Sequence, residues 1–409
     1  MVPAISTVAA VLSVPLLRIL DRVLEFRLFN YTSDGARALA SIISAAVLSF
    51  IVFFFSVLLL TVQIASSTLS PRIISRPFRS RSLKLSLGLF VFTLIYSMAV
   101  VAKGTERNMG QLVIAMVVIL IITSICVFLY VVEHVSKQLR PVTVMGDVAL
   151  EGLQVIRAVY PKMLEQHGEP EKTCAEVHLG APSQAIRYTG DPGVVLALDI
   201  EGLVALAIDS ACMIEVVPQV GDPVAGEDLV LRLYGGGANI SPKKLLEHIA
   251  VDRERTLEQD PAFAFRIIVD IAAKALSPAI NDPTTAVIAL DQIHSLLREV
   301  GLRRLDTGLV RDPAGQLRLI YHTPDWEDFV RLAATEIRQF GRTSIQVVRR
   351  MRAMLENLIP SLPPHRSAAL RRELDLLDST ADQAFAIPED RKRAALPDFQ
   401  GLGGCRRAV

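Results

Sequence analysis

Apolar positions along this chain crowd into long uncharged runs before Val135 and thin afterwards into short runs and periodic stripes. No charged residue lies between Arg37 and Arg72, and Ala38 to Val62 is long enough to cross a hydrocarbon core of ~30 Å, which takes about 20 apolar residues. Leu85 to Ala102 is bounded by Lys84 and Lys103, and Met109 to Val132 by Arg107 and Glu133, so both predict further spans. Val2 to Leu17 is shorter, holds Pro3 and Pro15, and runs into Arg18, Asp21 and Arg22; it predicts a fourth span over about 2–20. A transmembrane domain is therefore expected over 1–136, with spans near 2–20, 38–62, 85–102 and 109–132.

Past the membrane the texture changes. Met145 to Gln166 reads as a helix within a linker over 137–173. Pro- and Gly-containing turns then separate short apolar runs, among them Gly193 to Asp199 and Met213 to Val217, which predicts a small β-barrel-like module over 174–239. Within it, Val220 to Val230 resembles the strand-turn-strand of biotinyl or lipoyl-like domains. No lysine occupies the tip, so a carrier role is set aside in favour of a structural hairpin. From 240 to 387 a helical module is expected. Asp260-Pro261 and Asp282-Pro283 each set an N-cap acid before a proline at the first helical position. Val330, Ala333, Ala334, Ile337, Phe340, Ile345, Val348, Met351, Leu355 and Leu358 keep a 3–4 spacing that predicts one long amphipathic helix, with a partner after Pro363-Pro364 using Leu370, Leu374 and Leu377. A disordered tail is expected over 388–409. The fold class that follows is an α-helical membrane protein of about four transmembrane helices with an α+β region.

Composition agrees with this division. Hydrophobic residues make up 51% of 409, with a mean hydropathy of +0.40, and the net charge of +1 gives no basic field for nucleic acid. Cys126, Cys174, Cys212 and Cys405 form no CxxC pair and suit neither a zinc site nor a disulfide framework. The apolar start has no positive lead, which favours insertion over a cleaved signal peptide, and its abruptness leaves room for an upstream start. The acid-free loop from Ala65 to Lys84 holds Arg72, Arg76, Arg79, Arg81 and Lys84, the pattern of a cytoplasmic loop; by chain order everything after Val135 is then cytoplasmic. That inference rests on concentration of charge, because the opposite side also carries Arg18, Arg22, Arg27, Arg37, Lys103 and Arg107.

Candidate chemistry gathers between Arg255 and Ala286. Asp260 caps one predicted helix. On that helix Arg266, Asp270 and Lys274 fall at i, i+4 and i+8, an ion-pair ladder that either locks two helices together or lines a polar crevice. Ser277, Asn281, Asp282, Thr284 and Thr285 form the following turn, where capping accounts for the residue types and a helix N-terminus could also hold an anion. His248 and Asp252 lie at i, i+4, a spacing more often found on a solvated face than around a metal. Gly235 to Gly237 reads as a linker. No GxxxxGK[ST], HExxH or GxSxG occurs, so no enzyme, cofactor or metal is expected. The predicted spans lack acids and bases at their centres, which disfavours a coupled transporter. Their polar residues are hydroxyls: Ser41, Ser44, Ser49 and Ser56 on the second span, and the stripe Ser86, Thr93, Ser97 on the third. Small hydroxyls usually mediate helix packing, and a stripe repeated about a symmetry axis could instead face a pore.

The segments Asp260 to Arg266 (DPAFAFR), Asp270-Ile-Ala, Ala275 to Ala286 (ALSPAINDPTTA) and Ser70-Pro-Arg72 together resemble a bacterial family of predicted membrane proteins with domain of unknown function 2254. The resemblance covers nearly the whole chain and implies no activity. The expected function is a self-associating, channel-like, multi-pass protein of the cell membrane, whose partners are the lipid bilayer and further copies of itself. The alternative is a non-conducting anchored sensor or scaffold that binds a ligand or partner near Asp260 to Ala286.

Overall fold

The computed structural model describes residues 2–24, 33–68, 81–102, 111–138, 140–164, 179–236, 240–305 and 307–402. The chain divides into two compact units, Met1–Thr143 and Val144–Val409. Ser70, Arg72, Arg76 and Arg79 of the basic loop, together with Cys174, Gly237 and Cys405, lie outside the described residues.

Four helices build the N-terminal unit: α1 (Val2–Leu24), α2 (Ser33–Thr68), α3 (Arg81–Ala102) and α4 (Gln111–Gln138). Helix α3 packs against each of the other three. Aromatic rings fill the contacts: Phe50 stacks on Phe128 at 4.9 Å and Phe54 meets Phe90 edge-on at 6.0 Å. The outer faces are apolar too, with Val52, Leu59, Ile119 and Leu129 more than half exposed. Water would penalise such a surface, and lipid tails would not. Among the described residues, three helices are long and apolar enough to cross a membrane: Arg37–Gln63, Ser82–Ala102 and Leu112–Val135. The expected fourth span does not meet that measure. The apolar part of α1 is Pro3–Leu17, which at 1.5 Å per residue reaches about 22 Å, short of the ~30 Å core.

The C-terminal unit is α/β. After α5 (Pro141–Val159) come β1 (Gln184–Arg187), β2 (Gly193–Leu198), α6 (Ile200–Asp209), β3 (Cys212–Val216), β4 (Pro223–Val224) and β5 (Leu229–Gly235). Then follow α7 (Pro242–Leu246), β6 (Ile249–Asp252), α8 (Pro261–Ala275), α9 (Pro283–Gly301), β7 (Leu309–Arg311) and β8 (Leu317–Tyr321). The strands form two open sheets, ordered β1-β5-β3-β8-β7 and β4-β2-β6. No closed barrel forms, and the reason lies in the Val220–Val230 segment. It makes the expected turn, with Gly221 at φ +96° and the Asp222 carboxylate accepting from Gln219 N at 2.8 Å. Its two strands then part: β4 pairs with β2, whereas β5 pairs with β1 and β3. The hairpin thus joins two sheets instead of curling one. Strand β8 comes from inside the stretch expected to be helical and pairs in parallel with β3, Ile214 opposite Leu319. Ile186, Val195, Leu203, Ile214, Leu231 and Leu319 share one buried core beneath both sheets.

The remaining helices are α10 (Trp326–Phe340), α11 (Ile345–Ser361), α12 (Ser367–Ala384) and α13 (Pro388–Ala394). The single long helix expected over 330–358 is broken at Gly341. A Cβ there would sit 2.5 Å from Val347 Cγ1 and 2.8 Å from Ile337 O, so the chain turns where only glycine fits. The apolar stripe runs on across the break, and α10 and α11 both pack against α12. The tail expected to be disordered is instead structured through residue 402. Buried Arg349 and Arg352 donate to the carbonyls of Leu396 at 3.0 Å and Ala394 at 3.2 Å, and Gln346 donates to Gly401 O at 2.8 Å. These arginines sit on the helix as ordinary solvated charges in a one-dimensional reading; in three dimensions the tail supplies their acceptors.

Candidate functional site

Helix starts position the acids of the candidate region. Asp260 is 3% exposed and accepts from Phe263 N at 3.0 Å, while Arg255 Nε donates to its other oxygen at 2.5 Å. Burial pushes the Asp260 carboxyl upward against the pull of Arg255. The Arg255 guanidinium also lies 5.0 Å over the Phe263 ring, so this pair closes the N-terminus of α8.

Further along α8, Arg266 joins Asp270 and Glu336. Its Nε donates to Asp270 at 2.7 Å, and its two terminal nitrogens bind Glu336 of α10 at 2.7 and 2.5 Å. The fork matches the carboxylate plane, and Arg266 is held above its usual range first by that hydrogen bond to Glu336. The network ties α8 to α10. Lys274 sits half-buried in the last turn of α8.

The Ser277–Thr285 motif is a connector. Ser277 Oγ donates to Lys274 O at 2.7 Å, Asn281 takes φ +48°, and Asp282 N returns to Ala275 O at 2.7 Å. Asp282 then accepts from both Thr285 N at 3.1 Å and Thr285 Oγ1 at 2.6 Å, so its carboxylate is spent on starting α9. Thr284 is exposed beside it.

A cleft of about 730 Å³ opens elsewhere in the same unit, and Asp260 is its link to the sequence-derived candidates. Tyr160 at the end of α5, Asp199 and Glu201 at the start of α6, Glu247 and His248 after α7, Tyr321 at the end of β8 and His322 after it line the cleft. Asp199 caps α6 through Gly202 N at 3.0 Å and also faces His248 Nδ1 at 2.8 Å. Both contacts, Gly202 first, hold the Asp199 carboxyl below its ordinary range. His248 is thus turned toward Asp199, while Asp252 bonds the amide of Arg253 at 2.6 Å, so the i, i+4 pair does not converge. Among the described residues no group of three His, Cys, Asp or Glu is placed to hold a metal. A second recess of about 430 Å³ shares Gln219 and Pro324 with the first and reaches Glu336, the partner of Arg266. Nothing from Ser277 to Thr285 lines either one. Sequence reasoning missed Asp199, Glu201, Tyr160 and Tyr321; the one available signal was Asp199 standing before an apolar helical run, which marks a cap and not a cleft.

In the N-terminal unit, Ser86, Thr93 and Ser97 are 5%, 1% and 0% exposed and face neighbouring helices of the same chain. Thr93 Oγ1 lies 3.1 Å from Ser124 Oγ of α4, and Ser44 Oγ lies 2.8 Å from Ser97 Oγ. Each stripe hydroxyl also donates within its own helix, as Ser86 does to Ser82 O at 2.8 Å. Ser41, Ser49 and Ser56 of α2 are exposed.

Two relatives are similar along most of the chain: uncharacterised proteins of Mycobacterium bovis and of Mycobacterium tuberculosis strain H37Rv, each 27% identical over 377 residues. The alignments cover 89% of this chain and 71% of each relative. No solved structure matches. With three membrane-competent helices in place and the family profile matched over residues 1–357, the chain belongs to the predicted membrane protein family DUF2254.

Proposed function

We propose that this protein is a membrane-anchored sensor whose N-terminal helices fix it in the bilayer and whose C-terminal unit, on the cytoplasmic side, binds a small soluble ligand. The observation that carries this reading is the 730 Å³ cleft, a size usual for small-molecule sites, with polar and charged side chains interleaved among apolar walls. The Asp199–His248 pair on its rim would orient a ligand. The channel-like alternative draws less support. Hydroxyls that would keep a pore wet are already bonded between α2, α3 and α4 of one chain.

The test is a thermal-shift screen of the full chain in detergent against small soluble metabolites, repeated with Ala250→Trp, which fills the cleft from β6. The expected result is a compound that raises the melting temperature of the wild type and not of the variant. Absence of any such compound, together with ion flux above empty liposomes, would overturn the sensor reading.

A further inference from the structure

The charge of the cleft narrows its ligand. Among the described residues its lining includes no lysine or arginine, and the Arg255 guanidinium beside it is paired with Asp260. Glu201, Glu247 and Glu258 stand around it, and all three are exposed, with none making an ion pair or side-chain hydrogen bond among the described residues. Between them the walls are carbon, from Leu198, Val220 and Ala250 among others. A concave surface lined by one sign of charge focuses the field into its interior and concentrates the opposite charge there. A compact metal ion does not match, because no three ligating side chains converge. What matches is positive charge distributed along a flexible apolar body.

We infer that the ligand of this cleft is an aliphatic polyamine, its ammonium groups opposite Glu201, Glu247 and Glu258 and its methylenes on the apolar wall. The inference rests on the sensor reading above, since it assigns a chemical class to that site. It accounts for the cavity volume and for the unpaired carboxylates of the described lining together.

Spermidine is the probe, titrated calorimetrically into the full chain in detergent at constant ionic strength. Glu201→Gln, Glu247→Gln and Glu258→Gln are combined in one variant, which should melt like the wild type because none of these carboxylates bonds to the fold. The expected result is saturable spermidine binding that weakens at least tenfold in the triple variant, with magnesium at equal ionic strength failing to displace it. Equal spermidine affinity in both proteins, or displacement by magnesium, would overturn the assignment. Citrate and glucose are titrated in parallel. Binding of either that Ala250→Trp abolishes, with no spermidine binding, would sink the polyamine class and leave the sensor reading standing. Silence from all three probes would count against both.

Discussion

Asp199 and His248, 49 positions apart in the chain, meet at 2.8 Å on the rim of the cleft, and the same carboxylate starts α6. Two jobs on one side chain can be separated by substitution. Asp199→Asn keeps an oxygen for Gly202 N and loses the charge facing His248; Asp199→Ala loses both. The alanine variant should be destabilised by about 1 kcal/mol, the usual worth of an N-cap, and the asparagine variant by a few tenths at most. Thermal melts of both variants check this; equal losses would mean that the pair, and not the cap, is the stabilising contact. The pH dependence has a definite sign. A carboxyl held below its unfolded value contributes above about pH 4 and loses that contribution as pH falls through its folded value.

The Arg266 network predicts unequal and non-additive losses. Asp270 alone is the weaker partner, because Arg266 keeps its bidentate hold on Glu336 when Asp270 is removed. Asp270→Ala should therefore cost about 1 kcal/mol, well below the 3–5 kcal/mol typical of stranding a buried charge. Glu336 is 40% exposed, so solvent screens its removal as well. Asp270→Ala with Glu336→Ala leaves the guanidinium unpaired and should exceed the sum of the single losses, read as a coupling energy in a double-mutant cycle of melting curves. Additive losses would show that the two carboxylates act independently.

Much of the fold follows from local signals that the sequence carries at short range. Uncharged runs mark α2, α3 and α4, and Asp-Pro pairs mark the starts of α8 and α9, because each feature depends on neighbours within a few residues. The fourth span is the least legible of the set, since the apolar part of α1 is only Pro3–Leu17. The barrel failed because strand pairing is non-local: β4 and β5 flank one turn and join different sheets, a choice no local pattern encodes. The cleft was illegible for the same reason. Its lining comes from the ends of α5 and β2, the start of α6, the turn before β4, the α7–β6 junction, the segment before α8 and the segment after β8, which only the assembled sheets bring together. The ordered tail escaped notice because its acceptors are backbone carbonyls, which every residue has.

His294 on α9 gives a stability prediction at higher pH. Its Nδ1 lies 3.3 Å from Arg350 Nη2, and its Nε2 lies 3.0 Å from both Asn357 Oδ1 and Arg298 Nη2, so two guanidinium groups face the ring and a protonated imidazole would meet them. Burial, reinforced by Arg350 and Arg298, pushes its pKa down to about 4 from 6.5. Between those values the unfolded chain binds a proton that the folded chain does not. Stability should thus fall as pH drops from about 7 toward 4, by up to roughly 3 kcal/mol, and the term should level off below. His294→Gln should flatten this part of the curve in melts taken from pH 4 to 7. An unchanged slope would assign the dependence to other groups.

Orientation is testable without a ligand. If the basic loop before Lys84 is cytoplasmic, a reporter fused after Arg140 should be active in the cytoplasm. Phosphatase activity of the periplasmic kind at that junction would reverse the topology and place the C-terminal unit outside.

Anchor and pore make opposite predictions for the hydroxyl stripe of α3. Thr93 and Ser97 are buried against α4 and α2, so Thr93→Cys and Ser97→Cys should resist a small charged thiol reagent added to the protein in liposomes. The native thiols Cys126, Cys174, Cys212 and Cys405 must first be replaced by serine. A lipid-facing thiol is also closed to a charged reagent, because the reagent does not enter hydrocarbon, so Ile119→Cys serves as the lipid control. Ser41→Cys is the sensitive position: it is exposed on α2, and only water beside it would allow modification. The anchor reading requires that Thr93, Ser97 and Ile119 positions all stay unmodified and that flux equal that of empty liposomes. Modification along Ser41, Thr93 and Ser97 with loss of an ion flux would mean that the helices of one chain rearrange or assemble to enclose water, and the sensor reading would give way to the channel.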